Sequence, residues 1–211
     1  MRLVLIGDTH NFHHRMPRPP AGDVIIHAGD LTSGGTLEEI RSFFEWFMAL
    51  PHQRKIVIAG NHDFGFERTA AHAEALVPPN VTYLRDSGAE IGGLKVWGSP
   101  WQPWFGNWAF NLQRGPAIAA KWALIPDDVD VLVTHGPPHG VLDETIDYPP
   151  ARAGCEALAD RVAQLGQLRL HVFGHIHEGY GQTKVRGCCF VNASICDEHY
   201  APTNSPVVVD L

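Results

Sequence analysis

The 211-residue sequence predicts an α/β fold in which two packed sheets are covered by helices. Three observations predict it. Residues 3–7 and 24–28 are continuous apolar runs, the pattern of strands buried on both faces. A helix-period segment separates strands in the first half. Short strands joined by turns recur in both halves, which fits two sheets better than one fully parallel sheet.

The first sixty residues read as strand, loop, strand, helix, strand. Residues 11–20, rich in His, Arg and Pro, read as an exposed loop, with His13 and His14 at the surface. Thr36 is the N-cap of the helix 37–50, and Glu39 three residues on completes a capping box. Ile40, Phe43, Phe44 and Phe47 share one face of that helix, and Pro51 ends it. Residues 54–59 form the third strand. Residues 68–76 read as a short helix stopped by Pro78 and Pro79.

Residues 81–84, 89–91 and 94–97 then read as short strands, with turns at 86–88 and 92–93. Residues 99–110 hold Trp101, Trp104, Phe105, Trp108 and Phe110 among Pro, Gly and Asn, and follow neither period; they form an aromatic loop. A helix at 115–124 and a strand at 130–134 precede a long Pro-containing loop at 136–150. A helix at 156–165 and a strand at 169–173 come next. Residues 179–185, 188–193 and 207–211 read as a closing antiparallel set. No internal repeat or interdomain linker interrupts this, so residues 1–211 read as a single domain.

Composition narrows the function. With 45% hydrophobic and 18% charged residues, the chain is globular rather than disordered. A net charge of −7 argues against a nucleic-acid polymer as partner, which needs a cationic surface. It leaves room for a small phosphorylated substrate, because bound metal ions reverse the local field. Cys155, Cys188, Cys189 and Cys196 contain no Cys-x-x-Cys pair, so no structural zinc site is expected. They read as reduced, buried, small hydrophobes, which suits a cytoplasmic location. No secretory signal and no membrane-spanning run is visible.

Chemistry concentrates at five strand ends. Residues 3–7 run into Asp8-Thr9-His10, 24–29 into Asp30, 56–60 into Asn61-His62-Asp63, 131–134 into His135, and 171–174 into His175-Ile176-His177. Open α/β sheets place active sites at the carboxyl ends of their strands. Taken singly, most of these tripeptides would read as ordinary turns, where Gly, Asp and Asn are common. Five in order at five strand ends point to a site for two divalent metal ions. Mixed Asp and His donors favour Mn, Fe or Zn over Mg or Ca. Two such ions about 4 Å apart can clamp the oxygens of an in-line phosphoryl displacement. Asp30 is the candidate bridging carboxylate. His62, beside Asn61 and Asp63, suits general-acid work on a leaving alkoxide. The other eight histidines (13, 14, 27, 52, 72, 139, 171 and 199) take no metal role.

The series Asp8-x-His10, Gly29-Asp30, Gly60-Asn61-His62-Asp63, His135 and Gly174-His175-x-His177 resembles the calcineurin-like metallophosphoesterase superfamily. Residues 98–105, 134–138, 192–196 and 202–204 are similar, more narrowly, to the metallophosphoesterase-domain-containing family of class III cyclic nucleotide phosphodiesterases. The resemblance implies a four-layer α-β-β-α sandwich. It implies Asp8, His10, Asp30 and His177 on one metal, and Asp30, Asn61, His135 and His175 on the other. His62 would be the general acid and Asp63 its orienting partner. The implied reaction is attack of a metal-bridging hydroxide on phosphorus without a phosphoenzyme, with Mn active in vitro. Small phosphodiesters follow as substrates, cyclic nucleotides among them, and nucleotide monophosphates as further ligands.

Trp101 and Trp104, with Phe105 or Trp108, are candidates to stack on a nucleobase or aryl group. His139, near His135, is a candidate phosphate contact. Two other readings share the metal core or the fold. A phosphomonoesterase, protein phosphatases included, would use the same core. A protein-binding scaffold would show eroded ligands, and none of Asp8, His10, Asp30, Asn61, His62, His135, His175 and His177 is lost here.

Overall fold

The chain is described from a computed structural model over residues 1–146 and 151–211. In order it runs through β1 (Arg2–Ile6), β2 (Val24–His27), α1 (Leu37–Ala49), β3 (Arg54–Val57), α2 (Phe64–Arg68), α3 (Ala70–Glu74), β4 (Val81–Tyr83), β5 (Ser87–Ile91) and β6 (Leu94–Ser99). There follow β7 (Gln102–Pro103), β8 (Asn111–Leu112), α4 (Pro116–Trp122), β9 (Val131–Thr134), α5 (Glu156–Val162), β10 (Leu170–Phe173), β11 (Gly181–Val185), β12 (Cys188–Asn192) and β13 (Val207–Asp210). One sheet has the order β13-β1-β2-β3-β4, the other β11-β12-β10-β9-β6-β5, and β7 with β8 forms a small ribbon.

Alternation along the strands builds the layers. In β1, Leu3 and Leu5 enter the apolar layer between the two sheets, joined there by Val131, Val133, Leu170 and Val172. Val4 and Ile6 face the other way, onto Phe43, Phe47 and Ile40 of α1. The outer face of the second sheet presents Leu132, Phe173 and Phe190 to Ile118 and Trp122 of α4 and Leu158 of α5. The result is helix, sheet, sheet, helix, the four-layer sandwich that the resemblance implies. Each large apolar side chain fully buried in these layers contributes roughly 1.5–3 kcal/mol. The capping box at Thr36 and Glu39 forms in full and starts α1 where the sequence indicates.

Several local readings change. The helix expected at 68–76 is the shorter α3, and α2 precedes it from Phe64; the two are broken at Thr69, whose hydroxyl donates to the Gly65 carbonyl 3.1 Å away and competes with continuation. The turn expected at 86–88 is shorter, because Ser87 and Gly88 already pair with β6. The closing set divides between the sheets. β11 and β12 pair antiparallel, but β12 lies parallel to β10, and β13 closes the open edge of β1 in the other sheet. The loop 11–20 is not wholly exposed: His13 is buried, its ring 5.2 Å from Trp46 and 5.8 Å from Phe43, while His14 is exposed. Cys189 is half-buried rather than buried, and all four cysteines are free thiols. The end of the expected loop 136–150 lies outside the described residues. Among the described residues, no helix is long and apolar enough to cross a membrane.

Candidate active site

β1, β2 and β3 run parallel in one sheet, and β9, β10 and β12 run parallel in the other. Their carboxyl ends therefore share one edge of each sheet. The two edges are tied together there. Gly7, just past β1, bridges Ser194, just past β12, and Ile195 N–H donates to the Gly7 carbonyl at 2.9 Å. All five motif segments emerge at this seam.

The backbone at the seam is strained. Asp8, His10, Asp30 and His175 have φ of 49°, 40°, 56° and 69°. Left-handed backbone is uncommon outside glycine, and at four residues of one cluster it marks a surrounding structure that over-determines them. The bonds that do so are direct. Asp8 N–H donates to the Gly29 carbonyl (2.9 Å), His10 N–H to the Asp30 carbonyl (3.1 Å), and His175 N–H to the Asp8 carboxylate (3.1 Å). Gly60 and Gly174 permit the close approach. A Cβ at Gly174 would overlap the Asp8 carboxylate, and one at Gly60 would overlap the Asp30 carboxylate.

The functional groups converge in three overlapping sets, each with ligand atoms within 4.8 Å of one another: Asp8, His10 and His177; Asp8, Asp30 and His135; His10, Asp30 and His62. Asp30 Oδ2 lies 3.7 Å from His10 Nε2 and 3.5 Å from His135 Nε2, so its carboxylate spans the centre. Asn61 Oδ1 is 2.8 Å from His135 Nε2. His175 sits beside this group, its ring 5.0 Å from that of His135.

Charge and proton placement fit metal ions. Asp8 and Asp30 are buried, and among the described residues their ion-pair partners are histidines alone. Burial opposes their charge, yet His177 and His135 hold the Asp8 carboxyl below the usual range, and His135 and His10 do the same for Asp30. Burial pulls His135 and His177 down, but the Asp30 and Asp8 carboxylates respectively outweigh it and lift each to about 9. His10 and His175, where burial dominates, fall to about 4 and about 3. His135 Nδ1 donates to the Ala28 carbonyl at 3.0 Å and His177 Nδ1 to the Asp197 carbonyl at 2.9 Å. That second bond fixes each ring with Nε2 inward, as metal-ligating histidines require. His10 Nε2 and His177 Nε2 face each other at 3.2 Å, a geometry a shared cation would satisfy. Two buried carboxylates, inward imidazoles and a carboxamide form a donor set suited to divalent metal ions.

His62 does not pair with Asp63 as expected. Its Nδ1 donates to the Ser33 carbonyl at 2.8 Å, and its ring lies 4.2 Å from that of Trp108. The Asp63 carboxylate instead accepts from Gly60 N–H (2.8 Å), Leu31 N–H (3.2 Å), Thr32 N–H (3.0 Å) and the Thr32 hydroxyl (2.6 Å). It therefore ties the loop after β2 to the loop after β3.

A cleft of about 290 Å³ opens over Asp30, Asn61, His62, His175 and His177. Trp104, Phe105 and Trp108 line it, with Trp104 and Phe105 largely exposed. Trp101 does not line it. Its indole donates to Asp86 at 2.9 Å and lies under the Lys121 ammonium, so it anchors the aromatic loop. His139 is exposed on a turn in the loop after β9 and also lies outside the cleft. A larger open cavity of about 600 Å³ between α4 and α5 holds none of these groups.

Two residues at the centre carry no signal in the strand-end pattern. Ser194 donates to Asp8 Oδ2 at 2.7 Å, and the Tyr200 ring lies 4.9 Å from His10 and 5.1 Å from His177. Both fall in or near the C-terminal segments 192–196 and 202–204, where the narrower resemblance was the available pointer.

The sequence model of calcineurin-like phosphoesterases matches residues 1–179. Over its whole length the chain is 43% identical to metallophosphoesterase domain-containing protein 1 of Homo sapiens, covering 71% of that protein. It is 38% identical to a UPF0046 protein of Caenorhabditis elegans, again along the whole chain and over 81% of the relative. Among solved structures it is similar to TT1561 of Thermus thermophilus, with a TM-score of 0.58 at 15% identity over 90% of this chain and 88% of that one. A putative 5′-nucleotidase from Staphylococcus aureus aligns with a TM-score of 0.55 at 11% identity, over 90% of this chain and 48% of that one. At such identities the structural likeness speaks for the fold alone. The sequence matches and the Asp/His cluster together decide the assignment: this chain belongs to the calcineurin-like phosphoesterase family of metal-dependent phosphoric ester hydrolases.

Proposed function

We propose that the chain is a cytoplasmic, single-domain phosphodiesterase that hydrolyses small phosphodiesters, cyclic nucleotides among them, with two transition-metal ions. The observation that carries the diester reading is the charge of the cleft. Arg114 is the one Lys or Arg among its described lining residues, and its guanidinium is engaged by the Gly154 carbonyl (2.8 Å), the Ala153 carbonyl (2.9 Å) and Glu156. Glu178 adds a negative charge. Among the described residues, a phosphomonoester dianion meets no free Lys or Arg there beyond the metals. A diester monoanion with an apolar ester group meets Trp104, Phe105 and Trp108 instead.

In this reading Asp8, His10, Asp30 and His177 hold one ion, and Asp30, Asn61, His135 and His175 the other. When bound, the ions supply Lewis acidity and a nucleophile at neutral pH. His62 protonates the leaving oxygen; its Nδ1 bond to Ser33 leaves Nε2 for the cleft, which supports that role. Asp63 supports the loops rather than the proton transfer. The aromatic residues exclude water and receive the ester group.

The test is Mn-reconstituted protein assayed on bis-p-nitrophenyl phosphate, p-nitrophenyl phosphate and 2′,3′- and 3′,5′-cyclic nucleotides, with Asn61→Ala as control. Diester cleavage that exceeds monoester cleavage and disappears in the control is the expected result. Faster monoester cleavage would shift the reading to a phosphomonoesterase.

A further inference from the structure

Tyr200 lies outside every motif, yet it sits against the centre of the site. Its ring meets the His10 ring edge-on at 4.9 Å and the His177 ring at 5.1 Å, and lies 6.2 Å from His62. It lines the same cleft as Trp104 and Trp108. It is not a core residue: 46% of its surface is exposed.

The backbone holds this aromatic in an unfavourable conformation. Tyr200 has φ of 58°, which bulky side chains rarely adopt. A built turn maintains it. Tyr200 N–H donates to the Asp197 carbonyl at 2.9 Å, and Asp197 Oδ1 accepts from His199 N–H and Ala201 N–H, each at 2.9 Å. The Asp197 carbonyl that anchors this turn also receives His177 Nδ1. The turn is thus tied to a residue of the metal cluster. The ring packs on two cluster histidines while nearly half of it stays exposed, and backbone strain of this kind collects at sites that need a defined geometry.

We propose that Tyr200 is a specificity residue whose ring forms a wall of the cleft and contacts a planar, aryl- or nucleobase-bearing ester group of the bound phosphodiester. Trp108 flanks His62 and Tyr200 flanks His10 and His177, so a phosphate over the cluster has one aromatic ring beside His62 and another beside His10 and His177. The inference rests on the phosphodiester reading of the cleft and adds to it the class of ester group favoured.

Equilibrium binding to Mn-loaded protein tests it, by calorimetry with diphenyl phosphate and dimethyl phosphate. Stacking on one aromatic is worth about 1–3 kcal/mol, so the wild-type protein should prefer the diphenyl ester by roughly 5- to 150-fold. Tyr200→Asn keeps a residue that tolerates left-handed backbone and should bind Mn normally while its preference for the diphenyl ester falls at least ~5-fold, the share of one stacking ring. Tyr200→Phe should retain it. An unchanged preference in Tyr200→Asn overturns the proposal. So does an equal weakening of both esters together with weaker Mn binding, which would make Tyr200 a shield for the histidines. The expected binding pattern without turnover of any diester would sink the phosphodiesterase reading while showing that the cleft still binds diesters through Tyr200.

Discussion

The Nδ1 proton of His62 is held by the Ser33 carbonyl at 2.8 Å, and the carboxylate of the adjacent Asp63 points elsewhere. Adjacent residues thus do separate work. One carries an imidazole to the cleft; the other accepts four hydrogen bonds from the loops after β2 and β3. That separation makes their variants distinguishable.

His62→Ala should bind metal as the wild type does and lose about 10²–10⁴-fold in turnover, the range for general acid–base groups. The loss should shrink on esters with good leaving groups, which need little protonation. Rates across a series of substituted aryl phosphodiesters check this. An equal loss on poor and good leaving groups would refute the role.

Asp63→Asn replaces an acceptor of four bonds by a group that must turn a donor towards donors. It should destabilise the protein by about 1–3 kcal/mol, which at this chain length lowers Tm by roughly 2–12 °C. Thermal melts give that number. The same leaving-group series should keep the wild-type slope, whereas a slope like that of His62→Ala would restore Asp63 as the partner of His62.

Metal-free protein should show an unusual pH profile. Unfolded histidines lose their protons near 6.5, whereas folded His135 and His177 keep theirs to about 9. The folded state binds the extra protons between those values, so stability falls as pH rises through that window. Asp8 and Asp30, held below 3.8 by the same pairs seen from the other side, contribute stability that is lost as pH falls below that value. Folded His10 and His175, which fall to about 4 and about 3, hold fewer protons than the unfolded chain up to about 6.5, so stability rises with pH to that value and the maximum for the chelated protein should lie near pH 6.5. Metal ions replace the two Nε2 protons, so loading at pH 7 should release roughly two protons and move the optimum upward. Melts with and without chelator, and calorimetry in buffers of different ionisation enthalpy, measure both.

Ser194→Ala removes the hydroxyl that donates to Asp8 Oδ2 at 2.7 Å and leaves the ligands themselves in place. Loss of such a supporting bond usually weakens metal affinity about 10–100-fold. A Mn titration of the variant reads this directly, and wild-type affinity would show that His175 N–H suffices to orient Asp8.

The sequence alone determined what depends on neighbours along the chain. Apolar runs predicted the buried strands, Thr36 and Glu39 the start of α1, and the residues after five runs the Asp and His side chains that gather at the seam. These are short-range matters of periodicity, capping and strand-end placement. Tertiary structure decided what depends on the partner a group meets. β13 joined the first sheet because the free edge of β1 was open to it, and no local pattern encodes an edge. His62 took the Ser33 carbonyl rather than its neighbour, Trp101 turned to Asp86, and Ser194 and Tyr200 reached the centre from a segment almost two hundred residues from Asp8. A strand fixes which residues arrive at an edge; only the packing of two sheets fixes which atoms then face one another.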